Sequence, residues 1–210
     1  MTLLTQNKAR RRLATAAMAG VAGYVLVDVA LQFLPPHYSV ISDAESNLAV
    51  GPYGWIMNVN FLGRTVTTCC AVAAINRIGL PSNLRRTGTV LMSVGGLSSA
   101  VLAFFPTDVG PGPATTVGTV HLFVAGTGFI AALAGILVLT RWIRHNTELA
   151  KAYPAALTLA VIASLGLASL GLTTVLKPSL LGLAERVCLA GVLGWAMAVS
   201  TAIRGLDRRR

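Results

Sequence analysis

Charged residues are scarce in this sequence, and acidic residues are scarcer than basic ones. Only 11% of the 210 residues are charged, with seven Asp and Glu against 17 Lys and Arg. Soluble domains carry about 25% charged residues. Apolar residues instead come in runs of about 20, the length that crosses a bilayer core as a helix. Because the runs lack the strict alternation of barrel strands, the sequence predicts an all-α integral membrane protein.

Cysteine is also rare, and nothing in its placement indicates a disulfide framework or a metal site. Cys69, Cys70 and Cys188 all lie in apolar runs, and no CxxC spacing exists. No HxxxH or HExxH motif is present. His37 lies in a loop and His121 near the end of a span, whereas the axial histidines of a transmembrane haem lie well within spans. We therefore expect no metal and no cofactor.

The basic residues cluster beside the apolar runs, as the positive-inside rule describes for cytoplasmic segments. This placement accounts for the net charge of +10 without nucleic-acid binding. It predicts that both termini face the cytoplasm. The clusters are Lys8/Arg10/Arg11/Arg12, Arg77/Arg85/Arg86, Arg141/Arg144/Lys151 and Arg204/Arg208/Arg209/Arg210.

The apolar runs predict six membrane-spanning helices in a single domain, residues 1–210. We expect the connections 35–52, 106–116 and 176–179 to face outward. The first of these, fenced by Pro35-Pro36, is the longest polar break in the chain. The predicted spans are about 13–34, 53–76, 87–105, 117–140, 154–175 and 180–203.

Asp28 and Arg64 lie inside the first two predicted spans, where charges are costly and usually face the bundle interior. Asp28 shares one helical face with Tyr24 and Gln32, since the three are spaced four residues apart. Arg64 lies near the middle of span 2. Spans 1 and 2 are neighbours along the chain, so we predict an Asp28–Arg64 ion pair.

Most other acids and histidines fall in the outer half of the predicted topology. Glu185 and Arg186 are adjacent in a helix and point about 100° apart, so each is expected to need a partner on another helix. Asp43 and Asp108 also have simpler interpretations, as a helix cap and a turn residue. The segregation predicts a polar cavity lined by spans 1, 2, 4 and 6 under the 35–52 loop. The candidate ligand-binding residues are Asp28, Arg64, Asp43, Asp108, His121, Glu185, Arg186 and His37.

The favoured interpretation is a non-catalytic pocket for a lipid headgroup or a small polar ligand. Its expected partners are membrane lipid and, as a further option, another membrane protein. A membrane-embedded hydrolase or transferase using His121 with Asp108 or Asp43 is an alternative, although no nucleophile motif identifies a catalytic residue. A structural accessory subunit of a membrane complex is the other alternative.

Several short motifs resemble the domain-of-unknown-function 998 family, six-span bacterial and archaeal membrane proteins grouped with the Frag1/DRAM-like families. They are the ISD…GPYG loop, FPTD after span 3, the histidine opening span 4 and the acid–arginine pair opening span 6. The loop here reads ISDAESNLAVGPYG, where relatives more often have ISDLG soon followed by an aromatic residue. The resemblance implies a six-helix fold in a prokaryotic cell membrane and a shared patch at Asp43, Asp108, His121, Glu185 and Arg186. It implies no established activity.

Overall fold

The computed structural model describes residues 3–35, 37–110 and 112–206, and within these ranges the protein is helical without strands. The prediction of an all-α protein is confirmed. Pro36 and the predicted basic residues Arg208, Arg209 and Arg210 lie outside the described residues. The long helices are α1 (Leu3–Leu31), α2 (Gly54–Ile75), α3 (Asn83–Leu102), α4 (Thr116–His145), α5 (Tyr153–Leu176) and α6 (Leu181–Gly205). Short 3₁₀ helices cover Glu45–Ala49, Ala150–Ala152 and Pro178–Leu180.

Four helical segments of the described chain are long and apolar enough to cross a membrane: Gln6–Leu31, Thr116–His145, Ala150–Leu176 and Pro178–Gly205. Helices α2 and α3, with 22 and 20 residues, have the length but a more polar composition. Asn58, Asn60 and Arg64 lie in α2, and α3 is rich in Ser, Thr and Gly. The protein is thus a membrane protein. Its two more polar long helices, α2 and α3, lie between the apolar helices α1 and α4 in the sequence.

The first turns of α3 and α4 are each stabilised by an N-terminal capping residue. The Ser82 hydroxyl accepts a hydrogen bond from the Arg85 N–H at the start of α3, and Thr115 accepts one from Gly118 at the start of α4. Such side chains satisfy N–H groups that the helix itself leaves unpaired. These caps set where α3 and α4 begin.

The six helices form a closed ring, because each packs against the next and α1 packs against α6. Connections 32–53, 103–115 and 177–180 lie at one end, which we call the long-loop end. The other, the basic end, holds 76–82, 146–152, the start of α1 and the end of α6. There Arg10 pairs with Glu148 at 3.9 Å. A continuous apolar core fills the basic half, around the fully buried Trp195.

Glycines set the distance between α3 and α4. A Cβ placed on Gly95 would lie 3.0 Å from the carbonyl oxygen of Gly128, and one on Gly135 would lie 2.9 Å from that of Gly88. These pairs run in opposite directions along the two helices, so the helices are antiparallel. The seven-residue spacing in each helix keeps the glycines on the facing side.

Helices α5 and α6 approach each other in the same way. A Cβ on Gly166 would lie 2.3 Å from the Cys188 backbone nitrogen, and one on Gly191 would lie 2.3 Å from that of Ala163. Contacts between α4 and α5 are much sparser than those within either close pair. The bundle therefore contains two tightly joined helix pairs, α3–α4 and α5–α6, with a loose junction between them.

We expect Gly166→Ala to lower the thermal unfolding temperature measurably, because the new methyl group meets backbone atoms that cannot rotate away. Overpacking of this kind costs about 1–3 kcal/mol. The matched control is Gly171→Ala in the same helix, where an added Cβ meets nothing within 4 Å. Since Ala favours a helix over Gly, Gly171→Ala should leave the unfolding temperature unchanged or raise it. Equal behaviour of the two variants would contradict the close α5–α6 approach.

Candidate functional site

The loop of residues 38–49, here called the docked loop, folds back onto the start of α6. Arg186 holds it by donating to the carbonyl oxygens of Val40 and Asp43, both at 3.1 Å. The same guanidinium stacks over the Tyr38 ring, 5.6 Å from the centroid, and donates to the Tyr38 hydroxyl. A Cβ on Gly182 would lie 2.3 Å from the Asp43 carbonyl oxygen, so the loop backbone lies directly on α6.

Two buried glutamates join the docked loop to the helices. The Glu45 N–H donates to the Glu185 carboxylate at 2.7 Å, and the Tyr24 hydroxyl donates to the Glu45 carboxyl at 2.8 Å. Glu45 is 4% exposed and Glu185 is 8% exposed. Asn60 of α2 donates to the Tyr24 carbonyl oxygen at 3.1 Å. This network connects α1, α2, α6 and the loop.

The predicted Asp28–Arg64 ion pair is wrong. One Asp28 carboxylate oxygen accepts a hydrogen bond from Gln32 at 2.7 Å. The other oxygen is buried and has no nitrogen or hydroxyl donor. The Asp28 carboxyl lies within hydrogen-bonding reach of the Glu45 carboxyl. Arg64 instead lies over the Tyr24 ring, 5.6 Å from the centroid. Tyr24 is one turn, about 6 Å along the helix, from Asp28, so the cation meets the aromatic face before the carboxylate.

Asp108 and His121 are each held by local hydrogen bonds. The Asp108 carboxylate accepts from the Thr115 N–H at 2.9 Å and from its hydroxyl at 2.8 Å. These bonds favour the ionised form and lower the pKa of the Asp108 carboxyl. His121 is 1% exposed, with Nδ1 2.6 Å from the Phe105 carbonyl oxygen, so Nδ1 carries a proton. The described residues contain no group of three His, Cys, Asp or Glu side chains arranged to hold a metal ion.

Asp43 and His37 lie in the loop but outside the buried network. The Asp43 carboxylate accepts from the Ser39 N–H at 2.8 Å, and the Asp43 N–H donates to the Ser39 carbonyl oxygen at 2.8 Å. Asp43 thus closes the turn before the 3₁₀ helix rather than capping that helix, which begins at Glu45 after Ala44. His37 is exposed and has a φ of 66°, in the left-handed region.

A cavity of about 720 Å³ lies beside the buried network, between the docked loop and helices α2 to α6. Four predicted site residues line it, namely Arg64, Asp108, His121 and Glu185, and Glu45 lines it as well. Asp28, Asp43, Arg186 and His37 do not line it, and neither does any residue of α1. The rest of the wall is largely apolar. Its apolar side chains include Phe61, Leu102, Leu122, Ala125, Phe129, Ile130, Leu167 and Leu170.

Among the residues of the docked loop, Glu45 has a carboxyl group whose pKa is strongly raised. Burial disfavours its charged form and, with the negative charges of Glu185 and Asp28 nearby, raises the pKa of Glu45 to about 8. The Asp28 oxygen without a donor is the acceptor that a protonated Glu45 would satisfy. At neutral pH we therefore assign Glu45 as a carboxylic acid hydrogen-bonded to an Asp28 carboxylate.

Sequence reasoning did not include Glu45 among the site residues. An acid in a polar loop ordinarily faces water, and its partner Glu185 is 140 residues away in the chain. The available signal was Leu48, an apolar residue three positions later, which is 1% exposed. An acid beside a buried leucine in a loop indicates that the loop packs inward.

We expect stability to fall as pH rises between about 4.5 and 8. In this interval the folded protein keeps the Glu45 proton that the unfolded chain has lost, since the folded-state pKa is raised. The groups facing Glu45 are Tyr24, Asp28, Arg64 and Glu185. Thermal unfolding in a neutral detergent at pH 5 and pH 8.5 measures the effect.

The variant Glu45→Gln, whose amide can still donate to Asp28, should flatten this pH dependence. Glu148→Gln at the basic end is the matched control and should leave the slope intact. An unchanged slope in Glu45→Gln would contradict the assignment of the proton to Glu45.

Comparisons with known proteins place this arrangement in a family. The family described as "Protein of unknown function (DUF998)" matches residues 18–202, which include α2 to α5 in whole, most of α6 and about half of α1. No curated protein matches the chain. No solved structure matches it either. Because the match covers most of the chain, the protein belongs to the DUF998 family.

Proposed function

We propose that this protein binds a membrane amphiphile in the cavity beside the Glu45–Glu185 network. The observation that carries the proposal is the composition of the cavity wall. The charged Arg64 and Glu185 and the neutral carboxylic acid of Glu45 meet an otherwise largely apolar lining. A ligand that satisfies both parts has a polar head and an apolar tail.

The position of the cavity fits entry from the bilayer. It is lined by α4 and α5, the neighbouring helices that contact each other least. Leu122 and Ile130 line it and are also 67% and 63% exposed, so the cavity reaches the outer surface of the bundle. An amphiphile could therefore place its head inside while its tail extends towards the surrounding lipid.

Volume and depth favour binding over conduction. Small-molecule sites enclose about 300–1,000 Å³, and this cavity of about 720 Å³ falls in that range. On the other side of Arg64 the next cavity encloses only about 30 Å³. Beyond it lies the buried core around Ile136 and Trp195. The basic half of the bundle is thus closed in this conformation.

The polar residues of the alternative hydrolase interpretation are already engaged in structural bonds. His121 Nδ1 is bonded to the Phe105 carbonyl oxygen, and the Asp108 carboxylate is bonded to Thr115. Asp43 closes its own turn through Ser39. These contacts hold the mouth of the cavity in shape, which suits a binding site.

We further propose that the chain crosses the cell membrane six times as one domain. Both termini would lie in the cytoplasm and the long-loop end would face outward. The basic end carries the Arg77/Arg85/Arg86 and Arg141/Arg144/Lys151 clusters, and cytoplasmic segments are enriched in such residues. In this orientation the cavity opens in the outer half of a prokaryotic cell membrane.

Filling the cavity should abolish retention of lipid. Gly126 lines the cavity and an added Cβ there meets nothing within 4 Å, so Gly126→Phe fills space without a backbone clash. Gly23 in α1 has the same freedom but does not line the cavity, so Gly23→Phe is the matched control. Native mass spectrometry of gently solubilised protein measures the bound lipid.

We expect wild type and Gly23→Phe to retain lipid and Gly126→Phe to lose it. Absence of any adduct in wild type, or equal retention by Gly126→Phe, would overturn the proposal. Stoichiometric metal in the same sample would favour the hydrolase alternative instead. Stable co-purification with a larger complex, without lipid, would favour the accessory subunit.

Topology is tested by single cysteines in a background that lacks Cys69, Cys70 and Cys188. Val109→Cys lies in the long-loop end, and Leu80→Cys in the connection between α2 and α3; the native side chains are 54% and 87% exposed. A membrane-impermeant maleimide should label Val109→Cys in intact cells and Leu80→Cys only after lysis. The reverse pattern would invert the proposed orientation, and labelling of both in intact cells would contradict six spans.

A further inference from the structure

We infer that the bound amphiphile has a zwitterionic head, with a phosphate-type anion on Arg64 and an ammonium group on Glu185. This inference rests on the proposed lipid-binding function and specifies its ligand class. It rests on which charged groups of the cavity already have protein partners and which do not.

Arg64 is the cation available to a ligand. Its guanidinium stacks on Tyr24, but among the described residues no carboxylate or carbonyl oxygen hydrogen-bonds to it. It borders both the large and the small cavity, and its nitrogen atoms are not sealed from the cavity space. Arginine presents five donors in a planar fork that matches the oxygens of a phosphate.

Glu185 supplies the matching anion. One of its carboxylate oxygens accepts the Glu45 N–H at 2.7 Å. The second has no protein donor in the described part of the chain, is not fully enclosed, and belongs to a residue that lines the cavity. An ammonium group could reach this oxygen without displacing the bond that holds the docked loop.

The charge balance of the cluster favours a ligand with no net charge. Among the buried and half-buried charges at and behind the cavity wall, Arg64 and Arg186 contribute two positive charges, and Asp28 and Glu185 contribute two negative ones. Asp108 also lines the cavity, but its side chain is exposed and its charge is solvated by water, so it is not counted. Glu45 contributes none at neutral pH, because burial and the nearby acids raise the pKa of its carboxyl to about 8. A net anion or net cation would leave an uncompensated charge in a largely apolar cavity, which is costly. A zwitterion adds one charge of each sign.

The head belongs to a lipid because the apolar part of the wall needs a partner as well. Beyond Arg64 and Glu185, the cavity is lined by Leu122, Phe129 and Leu167. A free zwitterion of the size of a headgroup would leave this surface uncovered. Burying an apolar chain there adds affinity, because it removes apolar surface from water.

The test is the composition of lipid retained from nanodiscs that contain equal amounts of phosphatidylethanolamine, phosphatidylglycerol and phosphatidylcholine with identical acyl chains. Native mass spectrometry of the released protein should show enrichment of phosphatidylethanolamine. Phosphatidylglycerol lacks the ammonium, and phosphatidylcholine has an ammonium without N–H donors. Thermal unfolding of every variant, compared with wild type, verifies that it is folded.

The charged residues should change the selectivity in different ways. Glu185→Gln can still accept the Glu45 N–H, and it should lose the preference for phosphatidylethanolamine by about tenfold while gaining phosphatidylglycerol. Arg64→Gln should reduce retention of all three phospholipids, and Arg64→Lys should restore part of it. Arg77→Gln, in the connection just after the same helix at the basic end, is the matched control and should behave as wild type.

The outcomes separate this inference from the proposed function. Retention of the three lipids in bilayer proportion, still abolished by Gly126→Phe, would leave lipid binding standing and overturn the zwitterionic selectivity. Enrichment of phosphatidylglycerol in wild type would overturn it as well. No retention would overturn both. Displacement of the lipid by millimolar glycerophosphoethanolamine would identify a soluble zwitterion as the ligand and overturn the assignment to a lipid.

Discussion

The hydrogen bond from the Glu45 N–H to the Glu185 carboxylate determines much of the long-loop end. A buried carboxylate needs donors, and here the donor is a loop backbone 140 residues away in the chain. Holding that backbone in place requires the rest of the docked loop, which Arg186 secures through two carbonyl oxygens. The side chain of Glu45 then turns towards Tyr24 and Asp28. Loop conformation, helix positions and the charge of the cavity wall thus depend on one another.

This dependence explains why so few charges in the site are free. Arg186 is engaged by the loop, Asp28 by Gln32 and the Glu45 carboxyl, and Asp108 by Thr115. Each satisfied group holds the loop or a helix end in place. The groups left over, the Arg64 guanidinium and the second oxygen of Glu185, have opposite charges. The proposed selectivity rests on which partners the fold has already supplied.

The helices were predictable from sequence because each depends on local information. Apolar runs located them, and the four-residue spacing correctly placed Asp28 and Gln32 on one face, where they bond. The prediction of an Asp28–Arg64 ion pair was wrong because residue spacing determines only the helix face and the depth of a side chain. It does not determine which of two neighbouring helical turns, that of Tyr24 or that of Asp28, the long Arg64 side chain contacts. Glu45 was missed for another reason. Its burial depends on a loop packing against α6, and no periodic pattern reports such a contact.

The location of the cavity follows from where the chain has glycine. Close approaches at Gly95 and Gly135 bring α3 and α4 together, and those at Gly166 and Gly191 bring α5 and α6 together. In α5 these contacts orient the small residues Ala156, Ala160 and Ala163 inward, fully buried. Leu165 and Leu172 are left 62% and 60% exposed. Because α4 packs closely against α3 and α5 packs closely against α6, α4 and α5 make few contacts with each other. The cavity lies at this junction, so tight packing on both sides is what leaves space for a ligand between them.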